Sequence, residues 1–168
     1  MSNTSLLKSL FKYKAWANEE LFSSLQQLDE NTHQAELHAA IRTLNHIYVV
    51  DRLFVANLQG TLHEYTATNT TETPNLNSLL TSVRNTDLWY IEYTEKISEP
   101  ELNEVVNFTF VDGDLGSMSR EEMLAHIVTH GSYHRGAVGR ILAQLSVAPP
   151  RDIYSRFLHA SEPNRRSN

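Results

Sequence analysis

The segment SREEMLAHIVTHGSYHRGAVGRILAQL, residues 119–145, determines how the whole chain is interpreted. Ser119 can cap the free backbone N–H groups at the start of a helix, and Glu122 is placed to reach back to it, the capping-box arrangement. Pro149 and Pro150 follow the segment, and proline cannot continue a helix. The pattern therefore predicts one long helix from Ser119 to about Leu145.

Two histidines of this helix lie on one face. His130 and His134 are four residues apart, so their side chains stand about one turn above each other. At about 100° per residue both fall within about 20° of Met123, in the centre of an apolar stripe that also holds Ile141. Two such imidazoles can bind one metal ion at about 2.0–2.1 Å per nitrogen. His126 is about 60° away, and we expect it beside the site or at the cap of a cleft.

A further ligand has to come from another helix, because two histidines alone rarely hold an ion well. A helix predicted from about Gln34 to about Leu58, ending before Gly60, carries His46 near its middle. This helix is apolar nearly all round, which predicts that it is well buried. Its Asp51 would also be buried and would need a partner. Two alternatives are open for Asp51: it accepts an N–H from a ligand histidine, or it forms a structural ion pair with an arginine.

The remaining segments predict two more long helices and a short hairpin. Apolar residues at helical spacing predict a helix from about Ser5 to Leu28, and the start signal Thr73-Pro74-Asn75 opens another that runs to about Ile97. The apolar residues between Glu101 and Gly116 flank the turn signal Asp112-Gly113 and predict a hairpin or loop. We also expect a short terminal helix around 153–158. The predicted fold is all-α: one domain over residues 1–168, built as a four-helix bundle.

Composition excludes several classes of protein. Of 168 residues, 40% are hydrophobic and 20% charged, which is typical of a globular domain. The chain has no cysteine, so disulfides, thiolate metal sites and a cysteine nucleophile are excluded. A net charge of −6 with scattered Lys and Arg argues against nucleic acid as a partner. No apolar run is long enough to span a membrane, and residues 1–5 lack a signal-peptide pattern, so we expect a cytoplasmic protein.

The candidate residues also have structural interpretations. A lone histidine on an apolar face is more often a hydrogen-bonded core residue, yet several neutral imidazoles buried without a metal would each need a donor and an acceptor. Tyr133 could donate to a substrate oxygen, although filling the core is the more frequent role. Trp16 is expected in the core or lining a cleft. Arg135 falls on the face away from the ligands, where we expect a salt bridge to another helix.

The chain resembles the DinB-like family, also called DinB/YfiT-like metalloenzymes, a helical family distinct from the DNA polymerase that shares the name. Tyr13-Lys14-Ala15-Trp16-Ala17-Asn18 is similar to the family's opening motif, and Leu44-Asn45-His46-Ile47 with Asp51 and Phe54 to its second motif. The clearest similarity is His126-Ile-Val-Thr-His130-Gly-Ser-Tyr-His134-Arg135-Gly136, which resembles the family's histidine-rich signature. Thr129, Tyr133 and Ala137 depart from the most frequent residues of that signature, and Phe54 stands where tryptophan is usual.

The resemblance implies an up-down-down-up four-helix bundle, usually dimeric, with a three-histidine metal site at His46, His130 and His134. It implies zinc or nickel as the ion, with manganese or iron as further options. It also implies a small-molecule substrate and either a hydrolase or an S-transferase that uses an external low-molecular-weight thiol. Asp51, His126 and Tyr133 are the candidates for residues around the ligands. The alternatives are a non-catalytic metal-binding stress-response bundle and a plain dimerisation module without an ion.

Overall fold

Helices make up most of the structure. The computed structural model describes residues 3–166, in which seven segments are helical and two form strands. In chain order the elements are α1 (Asn3–Leu25), α2 (Gln34–Gln59), α3 (Leu76–Lys96), the single turn α4 (Glu99–Leu102), β1 (Val105–Thr109), β2 (Leu115–Ser119), α5 (Arg120–Gln144), α6 (Tyr154–Ser161) and a 3-10 turn (Pro163–Arg165).

The four long helices pack against one another around a shared interior. α1 contacts α3 and α5, and α2 contacts the same two helices. Their buried apolar residues form two clusters, and every long helix contributes to both. Phe11 and Tyr90, whose rings stack at a centroid distance of 4.9 Å, belong to the first cluster, and Phe22 and Leu142 belong to the second. Apolar burial on this scale is the dominant favourable term in folding.

Local signals in the sequence set where the helices begin and end. Ser119 and Glu122 form the predicted capping box at the start of α5. Asn75 caps α3 by accepting from two backbone N–H groups, which confirms the predicted start signal. Gly60 ends α2 with φ 67°, a left-handed conformation that glycine adopts without steric cost.

The predicted hairpin is present. β1 and β2 pair antiparallel, with Phe108 opposite Gly116, and Asp112-Gly113 lie in the turn between them. Phe108 and Phe110 lie so close to Gly116 that an added Cβ would come within 2.6–2.8 Å of both rings. The inner face of the hairpin, with Val106 and Met118, packs against the first apolar cluster. The hairpin is therefore part of the core and positions two phenylalanines beside α2.

Two predictions about the helices are wrong in detail. α1 ends at Leu25 instead of Leu28, because the backbone N–H groups of Gln27 and Leu28 bond three residues back and tighten the chain into a turn. The single turn α4, capped by Ser98 and Glu101, was not predicted. The terminal helix α6 is present and contacts α1. Within residues 3–166, no helix combines the length and hydropathy that crossing a bilayer requires.

Candidate metal centre

Three histidines from two helices converge in space. His46 comes from α2, and His130 and His134 come from α5, which packs alongside α2. Each of the three offers a ring nitrogen, and these atoms all lie within 4.8 Å of one another. Their rings are in mutual contact, with centroid distances of 4.5–5.0 Å. We call these three residues the histidine cluster; it could hold one metal ion.

The spacing of the nitrogens suits a shared cation. Nε2 of His46 lies 3.1 Å from Nε2 of His130. Two nitrogens bound to one ion at about 2.0–2.1 Å, with an angle of about 90–110° between the bonds, are separated by about 2.8–3.4 Å. The observed separation falls in that interval, so the two rings need little movement to bind the same ion.

A backbone carbonyl sets the orientation of His46. Nδ1 of His46 lies 2.7 Å from the carbonyl oxygen of Thr68, in the loop between α2 and α3. Because a carbonyl only accepts, Nδ1 must carry the proton, and Nε2 is left with its lone pair toward the other two histidines. Carbonyls and carboxylates commonly fix the ring of a metal-binding histidine in this way.

Burial favours the neutral form of the two histidines on α5. Burial, reinforced by the neighbouring His134 and His46, lowers the pKa of His130 to about 3. The pKa of His134 is also lowered, first by burial and then by His46. Nδ1 of His130 is buried and has no hydrogen-bond partner within the described part of the chain. Neutral imidazoles are the form that binds metals, so the cluster is ready to accept a cation at neutral pH.

The histidines lie at the edge of the buried surface of α5, which corrects the prediction that they occupy its centre. All three ligand candidates are half-buried. The buried residues of α5 are instead Met123, Leu124, Ile127, Val128, Gly131, Arg135, Val138 and Leu142. The predicted stripe was centred on the helical phase of Met123, Ile141 and Leu145, but Ile141 and Leu145 are only half-buried.

Arg135 is in fact buried, with only 2% of its surface exposed. Its Nε donates to Asp152 at 2.8 Å, in the segment before α6, and its Nη1 lies 3.4 Å from Asn18 on α1. The salt bridge was predicted to another helix, and its partner lies in a loop instead. Asp152 also accepts from the Tyr13 hydroxyl. Arg135 thus connects the segment before α6 to α1 in the buried interior.

Asp51 belongs to a second buried group. Its Oδ2 accepts from the Lys14 ammonium at 2.7 Å, and the same ammonium donates to Asp87 at 2.6 Å. Asn18 donates to the other oxygen of Asp87 at 2.7 Å. We call these four residues the lysine cluster. Of the two alternatives for Asp51, the ion pair is the one observed, with a lysine in place of the expected arginine, and its other oxygen bonds to none of the described residues.

One ammonium serves two carboxylates in the lysine cluster. Burial alone would lower the pKa of Lys14, but Asp51 and Asp87 raise it above its ordinary value, so the ammonium stays charged. Burial raises the pKa of Asp51 to about 6 against the opposing effect of Lys14. The fully buried ammonium of Lys14 therefore neutralises these two carboxylates.

His126 and Tyr133 both lie next to the histidine cluster. The ring of His126 stacks on His130 at a centroid distance of 5.3 Å and on Phe54 at 4.9 Å, as expected for a residue at the cap of a cleft. Tyr133 is 78% exposed and meets the ring of His134 edge-on at 5.1 Å. The expectation that Tyr133 fills the core is therefore wrong.

An apolar cleft opens beside the histidine cluster. It has a volume of about 210 Å³ and begins at His46 and His130. Its walls are residues of α2, the loop after α2, the hairpin and α5, namely Val50, Leu53, Phe54, Asn57, His63, Thr68, Phe108, Thr109, Phe110, Val111 and His126. A second pocket of about 330 Å³ is lined by Trp16 and Arg135 and by none of the three histidines. Of these two, the first adjoins the candidate ligands.

The fold and the site together define a helical protein with an open three-histidine group. The sequence profile of the DinB family matches residues 1–166, and the chain belongs to this family. It is 22% identical over 169 residues to Protein DinB of Bacillus subtilis (strain 168). The alignment covers 93% of this chain and 95% of that protein. A crystal structure of a DinB-like protein from Bacillus cereus ATCC 10987 shares the fold, with a TM-score of 0.61 at 15% identity; the alignment covers 84% of this chain and 93% of the other.

Sequence reasoning missed several residues around the site. Thr68, which orients His46, and His63, in the cleft wall, lie in a loop without helical periodicity. Lys14 was noted only as part of a motif, and Asp87 was not noted. A buried lysine could have been suspected, because Lys14 is flanked by Tyr13 and Ala17 at helical spacing among apolar residues.

Proposed function

We propose that this protein binds one divalent metal ion through His46, His130 and His134 and uses the ion in catalysis. The observation that carries the proposal is the convergence of three imidazoles from two helices. No fourth histidine, aspartate or glutamate joins them within residues 3–166. Three protein ligands with one position open are typical of catalytic sites, whereas structural zinc sites are usually closed by four.

The reaction that we favour is thiol S-transfer or hydrolysis. A metal ion in an open site supplies either an activated water molecule or a binding position for a thiolate. The chain itself has no cysteine, so a thiol would have to be an external low-molecular-weight compound. Imidazole ligands suit zinc and nickel, and the donor set also permits manganese or iron.

The residues of the chain would orient and shield the reaction. Thr68 holds His46 in the tautomer that presents Nε2, and the stacked rings of His126 and Phe54 limit the approach of water from one side. Tyr133 is exposed beside His134, where its hydroxyl could donate a hydrogen bond to a substrate oxygen. These roles use only groups already in place around the cluster.

Two other functions compete with the enzyme. In a metal-binding stress-response bundle the ion would mainly stabilise the fold, and in a dimerisation module there would be no ion. The half-buried ligands and the apolar cleft beside them favour the enzyme, because a structural ion needs no adjoining cavity. We further propose the up-down-down-up bundle order, a homodimer, a cytoplasmic location, a small-molecule substrate and no nucleic-acid partner. Size-exclusion chromatography with light scattering tests the dimer; a single-chain mass at micromolar concentration contradicts it.

Elemental analysis tests the metal site. Wild type, His130→Ala and His38→Ala are purified identically and their zinc and nickel contents are compared. His38 is an exposed histidine of α2, the helix that carries His46, so it controls for loss of an arbitrary imidazole. We expect about one ion per chain in wild type and His38→Ala and a small fraction of that in His130→Ala. Equal metal content in all three contradicts the assignment.

A screen of the metal-loaded protein then separates the enzyme from its alternatives. The loaded and metal-free forms are compared for thiol transfer to electrophiles and for ester and amide hydrolysis. Activity that follows metal content supports catalysis. Metal that raises the melting temperature without any activity supports the stress-response bundle, and a protein that binds no metal is left with the dimerisation role.

A further inference from the structure

We infer that the molecule bound at the proposed metal site is flat and apolar, of aromatic character, with a single metal-binding donor group. Its apolar part would fill the cleft between α2 and the hairpin while its donor group reaches the ion. The inference rests on the proposed function, because it takes the histidine cluster to hold a metal. It adds the chemical class of the ligand, which the three histidines alone leave open.

One wall of the cleft is a flat aromatic surface, and tilted rings of the hairpin face the same cleft. The ring of Phe54 stacks on His126 with an interplanar angle of 25°, and His126 stacks on His130 with an angle of 26°. These three rings form a continuous surface that leads to the cluster. Phe108 lies 5.9 Å from Phe54, and Phe110 lies 4.8 Å from Phe108, both between ring centroids. Aromatic rings pack well against such a surface in offset or edge-to-face contacts.

The size of the cleft matches one ring with a short substituent. Its volume is about 210 Å³. A dry apolar cavity of about 150 Å³ already accommodates benzene. The remaining space is enough for a few more atoms, such as a linker to the donor group.

The polarity of the cleft disfavours a hydrophilic ligand. No charged side chain lines it in the part of the chain that the structure describes. Beyond the cluster and Thr68, its polar lining residues are Asn57, His63, Thr109 and His126. Nδ1 of His63 is buried without a partner among the described residues. A ligand with many hydroxyl or charged groups would lose hydrogen bonds to water that this cleft cannot replace. An anionic ligand would have to place its charge on the ion itself.

A pair of simple probes tests the inference. Imidazole and 4-phenylimidazole carry the same donor nitrogen and differ by one phenyl ring. Each is titrated into nickel-loaded wild type by isothermal calorimetry, and each affinity is normalised to that for the free ion. We expect 4-phenylimidazole to bind at least about tenfold more tightly to the protein, because its ring leaves water for the cleft.

Two variants in the hairpin test whether the preference for 4-phenylimidazole arises in the cleft. Phe110→Ala removes a ring from the cleft wall, and Leu115→Ala truncates a residue of the same hairpin that is 87% exposed and does not line the cleft. We expect the preference for 4-phenylimidazole to fall at least about threefold in Phe110→Ala and to be unchanged in Leu115→Ala. Equal normalised affinities of the two probes for wild type overturn the inference and leave the metal site intact. Failure to load nickel overturns the proposed function itself.

Discussion

The histidine cluster and the lysine cluster share helix α2 but differ in how their polar groups are paired. Asp51 of the lysine cluster follows His46 along α2. In the lysine cluster each carboxylate faces the ammonium at 2.6–2.7 Å in a site closed to solvent. The histidine cluster is half-buried, its ring nitrogens face one another, and Nδ1 of His130 has no partner among the described residues. Groups paired with opposite charges complete their interactions within the fold, whereas ring nitrogens that converge on one another can share a ligand.

The lysine cluster also lies near the boundary between the two apolar clusters of the interior. On α1 and α3, Lys14 and Asp87 fall between the two sets in sequence, and the buried Arg135 does so on α5. On α2, Asp51 directly follows Val50 of the first cluster. Polar groups buried in this way require their partners, and a helix that slips along its axis would lose them. We therefore expect the lysine cluster to fix the positions of the helices along their axes. These positions in turn bring His46 close to the two histidines of α5.

The largest expected effect comes from Lys14→Met. Two buried carboxylates would lose their common cation, which costs about 3–5 kcal/mol of the free energy of unfolding. Lys12→Met is the matched control, because Lys12 lies on the same helix and forms an exposed pair with Glu95; it should change stability little. Urea denaturation measures both. Similar losses in the two variants would mean that the lysine cluster has no special part in stability.

The triple variant Lys14→Met, Asp51→Asn, Asp87→Asn sharpens that result. Removing the acids with the ammonium leaves no uncompensated charge, so stability should return in part relative to Lys14→Met alone. A triple variant less stable than Lys14→Met would show that hydrogen bonds, and not charge, dominate the cluster.

The next largest effect should come from metal addition, which we expect to act through the histidine cluster and not through the lysine cluster. An ion present at about 100 times its dissociation constant stabilises the folded state by about 2.7 kcal/mol. We expect nickel or zinc to raise the melting temperature of wild type and of Lys12→Met, and to leave that of His130→Ala unchanged. Without metal, His130→Ala should be about as stable as wild type, because its ring is half-buried and Nδ1 makes no hydrogen bond among the described residues. An equal rise in His130→Ala would contradict the site.

The stability of the metal-free protein should fall in mild acid, by a smaller amount. Burial holds the pKa of His130 at about 3, below that of an unfolded histidine. Below about pH 6.5, His130 therefore binds a proton in the unfolded chain but not in the folded chain. The contribution of His130 to the free energy of unfolding decreases as pH falls. The full effect of one proton is about 1.4 kcal/mol per pH unit, and partial exposure of His130 reduces it.

Urea denaturation between pH 7 and pH 5 measures this slope. His130→Gln should show a shallower decrease than wild type, because glutamine does not titrate. His38→Gln, in which an exposed histidine is replaced, should keep the slope of wild type. Identical slopes in wild type and His130→Gln would exclude His130 as the source.

Tyr133→Phe should have the smallest effect on the fold. The side chain is 78% exposed, so loss of its hydroxyl should leave stability within about 0.5 kcal/mol of wild type and metal content unchanged. If Tyr133 contacts substrate, the rate of the metal-dependent reaction falls while the melting temperature stays the same. A large loss of stability would instead place the hydroxyl in a structural role.

Much of the fold could be predicted because its signals are local. The capping box at Ser119, the cap at Asn75 and the glycine stop at Gly60 each act within a few residues of themselves. The hairpin was also local, with its turn at Asp112-Gly113. The single turn α4 was missed because four residues are too few for a periodic pattern.

The site was harder to predict because its details depend on distant partners. The i, i+4 spacing identified His130 and His134, but their depth depends on how α5 rotates against its neighbours. Arg135 lies on the buried side of α5, and its burial is compensated by a residue beyond the helix. The partner of Asp51 lies on another helix, so its identity as lysine could not be read from the pattern of α2.

The long sequence separation of the histidines has a consequence for biosynthesis. His46 and His130 are 84 residues apart, so α2 leaves the ribosome well before α5 is made. A nascent chain with only its first three helices would offer a cation a single one of the three imidazoles. Loading of the proposed site with metal would then follow the synthesis of α5.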